Sequence, residues 1–164
     1  MNATVDHLGH LVRRFAGSLS RRPPDPAAEG AAVSQLSAGE QVLWRRMSLA
    51  DRRHAIEVWQ RARAISALAT TDRAVAAGAL LHDVGKIDAG LGTAQRVAAT
   101  VWSAVRGERA QHGSGRWARY LRHEEIGAAM VRTAGSDPLT VALVARDDSL
   151  RDELRSLLER ADDI

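Results

Sequence analysis

The chain has 164 residues, 45% of them hydrophobic, which suits one domain with a real core and excludes wholesale disorder. It has no cysteine, which excludes disulfides, zinc–thiolate sites and a cysteine nucleophile. The net charge is +3, yet residues 137–164 carry eight acids against four arginines, so the earlier part is correspondingly basic. Arginines alternate with acids and aromatics are few, which reads as a solvated surface and makes nucleic acid an unlikely partner.

Alanine, leucine and arginine are good helix formers, and β-branched residues form no alternating run. Apolar positions recur every three or four residues, so the chain reads as all-α. Val5, Leu8, Leu11, Val12, Phe15 and Leu19 form one stripe, which predicts an amphipathic helix over residues 1–22. It carries His7 and His10, read as a surface pair. Pro23, Pro24 and Pro26 cannot continue a helix, so 23–36 is expected to be a connector. Residues 37–164 then form a single helical domain.

Within that domain, Ser37 and Glu40 predict a capping box for a helix to about Met47. Ser48 and Asp51 open a longer helix, about Leu49 to Leu68, carrying His54, Ile56, Trp59 and Arg63. Thr71 or Asp72 caps a helix from Arg73 to Asp83, whose residues Ala74 to Leu81 are apolar all round, the mark of a helix buried on every side. Gly85 is expected to stop it. Ile87 to Gly92 reads as a loop, 93–105 as a helix, and 107–115 as a polar loop exposing His112. Arg116 to Thr133 is helical, in one or two pieces. Asp137-Pro138 opens a helix to about Ala145, and a last helix covers about Leu150 to Ala161. The four tryptophans are expected in the core or an interface. No apolar run approaches the ~20 residues that span a bilayer, and no secretory stretch opens the chain, so a cytoplasmic protein without a membrane partner is expected.

His82-Asp83-Val84-Gly85-Lys86 contains the only lysine among 23 basic residues. Arginine is a planar fork, whereas lysine is a compact point charge, so this position is expected to need the compact charge. An ionised aspartate at the end of an apolar helix needs compensation, either from an arginine or from a divalent cation held with His82. A lysine beside such a cation could meet an anion drawn to it.

His54, then His82-Asp83-Val84-Gly85-Lys86, then a late aspartate, resembles the HD-domain superfamily of metal-dependent phosphohydrolases. In that superfamily a histidine, an adjacent His-Asp pair and a distal aspartate hold a divalent metal in an all-helical fold. The resemblance runs from about Leu49 to the last residues. With the Arg-Arg-Pro-Pro connector and His82 to Thr93, the whole chain looks most like small actinobacterial HD-domain proteins, for which no substrate is implied. The resemblance implies that His54, His82, Asp83 and Asp162 hold one divalent metal ion (Mn, Mg, Ni, Co or Fe). Asp147 and Asp148 are the alternatives to Asp162. Catalytic roles are expected for Asp83, Lys86 and His123. His123 resembles a family histidine that faces the site. Lys86, beside the His-Asp pair, is expected to face the substrate, and Arg53, next to His54, is a weaker candidate for phosphate contact.

No histidine follows Leu143, which argues against a full two-metal site. The cyclic-dinucleotide branch is disfavoured too, since its Gly-Tyr-Pro element is absent. So is the alarmone-hydrolase branch, because Gly85-Lys86 stands where that branch has an acidic pair. The expectation is a phosphohydrolase of a phosphomonoester or phosphodiester, with a phosphorylated small molecule such as a nucleotide as partner. The alternative is a non-catalytic metal-binding helical module for nucleotide sensing or protein interaction. A homo-oligomer stays open.

Overall fold

The computed structural model describes residues 22–92, 95, 98–99, 102 and 114–163. The helix expected over 1–22 with His7 and His10, most of 93–105, and His112 lie outside the described residues. Within them the regular elements are helices: α1 (Pro26–Val33), α2 (Ala38–Arg46), α3 (Leu49–Ile65), α4 (Leu68–Thr71), α5 (Arg73–Leu81), α6 (Lys86–Ala89), α7 (Arg116–Leu121), α8 (His123–Thr133), α9 (Pro138–Ala145) and α10 (Asp152–Asp162). No helix among the described residues is long and apolar enough to cross a membrane.

Side-chain caps set several of these boundaries. Ser37 and Glu40 form the expected reciprocal capping box at α2, and the Ser48 side chain accepts from the Asp51 amide at α3. Asp72 caps α5 through the Ala74 and Val75 amides, and Asp137 caps α9 through the Leu139 amide. Each cap satisfies amides that the first helical turn leaves without partners.

Helix α5 is the hub, packed against α3, α4 and α9. Its residues Val75 to Leu81 are all buried, as the apolar run predicts. Helix α9 is also largely buried, and its Thr140 hydroxyl donates to the Ala74 carbonyl of α5 at 3.0 Å. That bond keeps a fully buried hydroxyl satisfied. Helix α10 lays Leu154, Leu157 and Ala161 against Val58 and Ala62 of α3. Burying each leucine is worth roughly 1.5–3 kcal/mol, and this contact carries the end of α10 to the middle of α3.

Three local expectations need correction. The 23–36 connector contains a helix: Asp25 caps α1, Pro26 sits at its first position, and Ala32 and Leu36 enter the main core. Glu29 of α1 is tied to α2 and α3 by the Trp44 indole (3.2 Å) and Arg52 (2.6 Å). Ile87 to Gly92 is not wholly loop, because Lys86–Ala89 makes a helical turn. Finally, Gly85 does not act as a left-handed helix stop. Its φ is −64°, and the glycine is needed for contact: a Cβ there would stand 1.9 Å from the His123 carbonyl oxygen. Trp44 and Trp59 lie in the core as expected, whereas Trp117 is 37% exposed and meets Trp102 edge-on.

Candidate metal centre

Helix α5 ends at Leu81, and residues 82–85 continue as turns. Adjacent residues in a regular helix point about 100° apart. The turn brings the two heads together instead, with His82 Nε2 3.5 Å from Asp83 Oδ2. His82 Nδ1 lies 2.8 Å from the Ala79 carbonyl. A carbonyl only accepts, so Nδ1 carries the hydrogen and Nε2 faces the site. This buried Nε2 has no hydrogen-bond partner. Two carboxylate oxygens stand near it, Asp83 Oδ2 and Asp162 Oδ1, the latter at 3.6 Å. A neutral imidazole lone pair facing two carboxylates is repulsive. A proton or a metal cation on Nε2 removes the conflict.

Helix α3 presents His54 from the other side. Its Nε2 is 3.0 Å from Asp162 Oδ1 and 4.0 Å from Asp83 Oδ2, and its ring meets that of His82 edge-on at 5.4 Å. Nitrogen or oxygen atoms of His54, His82 and Asp83 all lie within 4.8 Å of one another, a grouping that could hold a metal ion. Two imidazoles with carboxylates suit a six-coordinate divalent cation that keeps water ligands. The orphaned Nε2 and this donor set both fit a metal.

Lys86 and His123 approach Asp83 rather than His82. The Lys86 ammonium pairs with Asp83 Oδ2, and His123 Nε2 lies 3.4 Å from Oδ1. His123 Nδ1 is 2.9 Å from the Tyr120 carbonyl, and the Tyr120 ring stacks on the imidazole. Glycine at 85 permits this approach, since α8 begins against the turn there. Side-chain exposure is 6% for His82 and 5% for Asp83, but 17–23% for Lys86, His123, Asp162 and His54. The pair forms a floor, and the other four form a rim that solutes can reach.

The charges reinforce one another. Burial pushes the Asp83 carboxyl up, but Lys86, with His82 and His123, holds it well below the usual carboxylate range. Burial likewise pushes Asp162 up, while contacts with His54 and His82 hold it well below that range. Burial lowers His82, and the Asp83 and Asp162 carboxylates more than offset this, leaving it raised. Burial lowers Lys86, and Asp83, helped by Tyr120 and Asp51, leaves it raised.

The structure therefore brings together His54, His82, Asp83, Lys86, His123 and Asp162. Asp147 and Asp148 lie elsewhere: Asp147 accepts from the Ser149 amide, and the fully exposed Asp148 pairs with Arg155. Arg53 donates to the Arg22 carbonyl. Sequence reading did not single out Tyr120 or Arg146. The only tyrosine in the chain, three residues before His123, was a usable signal. Arg146 carries no such local signal, because its partners Glu124 and Asp162 come from other helices.

Residues 52–162 match the HD domain family, and the chain belongs to it. That family is a superfamily of metal-dependent phosphohydrolases whose members typically bind divalent metals. No curated protein and no solved structure matches the chain.

Proposed function

We propose that the chain is a metal-dependent phosphohydrolase acting on a phosphomonoester or phosphodiester, with nucleotides as the first substrates to test. The observation that carries this reading is the buried His82 Nε2, without a hydrogen-bond partner, facing Asp83 and Asp162 beside His54. In this reading His54, His82, Asp83 and Asp162 hold one divalent ion. When bound, such an ion polarises a phosphoryl oxygen and makes water a better nucleophile.

The chain's own residues supply the rest. Asp83, kept ionised by Lys86, accepts a hydrogen bond from the attacking water and orients it. Lys86, on the rim, offsets charge on the phosphoryl oxygens as it builds. His123, held by the Tyr120 carbonyl, donates a proton to the leaving oxygen or holds the substrate.

A second reading is a helical module that keeps the metal as a staple or senses a nucleotide. It draws on one observation: the Lys86 ammonium is paired with Asp83 rather than free for an anion. Metal analysis of the purified protein, with a panel of phosphomonoesters, phosphodiesters and nucleotides, separates the two. Hydrolysis that Asp83→Ala abolishes together with metal content supports the enzyme. Metal without turnover favours the module. If Asp83→Ala kept both metal and hydrolysis, the site assignment would be wrong.

A further inference from the structure

Arg146 breaks a backbone rule. Helix α9 ends with the Asp147 amide donating back to the Ala142 carbonyl, around a residue in the left-handed region. Glycine or asparagine usually fills that position, because a Cβ is strained there. Here it is Arg146, with φ 51° and ψ 44°. It is the one non-glycine residue with positive φ among the described residues.

The side chain supplies a reason. Its Nε lies 2.8 Å from Glu124 Oε1 on α8, and its Nη2 lies 3.1 Å from Asp162 Oδ2 on α10. One guanidinium thus joins the end of α9 to two other helices. Glu124 directly follows His123 in the chain. Asp162 divides its oxygens: Oδ1 faces His54 and His82, and Oδ2 faces Arg146. Asp162 is also the last residue of α10, where a helix frays unless tied. The neighbouring Asp163 carbonyl is tied too, by Arg61 at 2.9 Å.

An ordinary surface ion pair contributes little. Arg146 differs in three ways: one fork serves two carboxylates, the Asp162 side chain is only 20% exposed, and the backbone is strained to place it. We infer that Arg146 is a positioning residue that holds Asp162 Oδ2 outward, so that Oδ1 points at His54 and His82, and locks α10 to the His123 end of α8. The inference rests on the metal-centre reading above, and its test includes a readout that needs no metal.

Arg146→Gly is the informative variant, because glycine accepts the left-handed backbone and loses only the side chain. Relief of the left-handed strain offsets the lost ion pairs, so thermal unfolding of the metal-free variant should stay near wild type. Calorimetry with Mn2+ alone should show affinity about 10- to 100-fold weaker, the usual effect of removing a partner that orients a metal ligand. In metal-free protein the His54 imidazole nitrogen resonances should shift as Asp162 Oδ1 loses its fixed place. Arg146→Lys should restore part of the affinity. If Arg146→Gly fails to fold, Arg146→Asn takes its place, since asparagine also tolerates this backbone. Wild-type Mn2+ binding with equal binding by the variant would overturn the inference alone. Absence of binding by wild type of each of Mn2+, Mg2+, Ni2+, Co2+ and Fe2+ would overturn the metal-centre reading. The His54 resonances would then decide positioning, and unchanged resonances would overturn it.

Discussion

Gly85→Ala tests the packing that holds the site together. The new Cβ would stand 1.9 Å from the His123 carbonyl oxygen and 2.7 Å from the Gly127 amide nitrogen. Both are backbone atoms of α8 and cannot swing aside as a flexible side chain could. Real Cβ contacts essentially never fall below 3.0 Å, so α8 and the 82–85 turn must separate by at least about 1 Å. Overpacking of this kind costs about 1–3 kcal/mol. For a chain of this size each kcal/mol shifts Tm by about 2–4 °C, so Tm should fall by about 2–12 °C. The functional effect should be larger. His123 opens α8, and its Nε2 is 3.4 Å from Asp83 Oδ1. A misplacement of ~1 Å in a site can cost about 100-fold in rate. Thermal unfolding and turnover of Gly85→Ala are compared with those of Gly30→Ala. Gly30, inside α1, has nothing within 4 Å of a built Cβ. Its alanine variant should be neutral or gain about 0.5–1 kcal/mol. Wild-type Tm and turnover in Gly85→Ala would refute the close-approach reasoning.

Lys86→Ala removes a positive charge beside the candidate ligand Asp83, so calorimetry should show Mn2+ binding at least as tight as in wild type. Turnover should fall on the order of 100- to 1,000-fold, as on losing one group that stabilises charge in the transition state. Without metal the same variant leaves buried Asp83 without its lysine, which should cost about 3–5 kcal/mol in chemical denaturation. Lys86→Arg should not restore full turnover if the compact charge matters. Stability of the metal-free protein should also depend on pH in a defined way. His82, facing Asp83, Asp162, His54 and Lys86, is raised, so its contribution is complete below about pH 6.5 and is lost as pH rises through its folded value. Asp83 and Asp162 are lowered, so theirs is present above about pH 3.9 and is lost on acidification. Tm should therefore peak near about pH 5–6, and a Tm still rising from pH 6 to 9 would contradict the assignment. Metal needs Nε2 unprotonated, so Mn2+ affinity should rise over the same interval.

Much of the fold was legible because its signals are local. Ser37 with Glu40, Ser48 with Asp51, and Asp137-Pro138 each mark a helix start by chemistry within three residues. The apolar run of α5 likewise announces burial without reference to any partner. The proline connector misled because Pro26 sits at the first turn, where a helix tolerates it. Gly85 misled because its reason lies on α8, far along the chain, and no local pattern reports a contact with the His123 carbonyl. The site followed the same division. His82, Asp83 and Lys86 could be read from one pentapeptide, and His54 and Asp162 from a family resemblance. Arg146 could not, since its value depends on Glu124 and Asp162 arriving from two other helices.

The His54–Asp162 contact spans 108 residues of chain. As the protein is synthesised, His54, His82 and Asp83 exist long before their partner does. The early chain can gather three of the polar groups, but the fourth arrives only when α10 has docked on α3. If the site holds an ion, capture by the full set has to wait until α10 is in place. Interactions formed after the folding barrier chiefly slow unfolding and leave the folding rate largely unchanged. A bound ion would thus act as a latch on a finished molecule, lengthening its lifetime against unfolding without guiding how the chain first collapses.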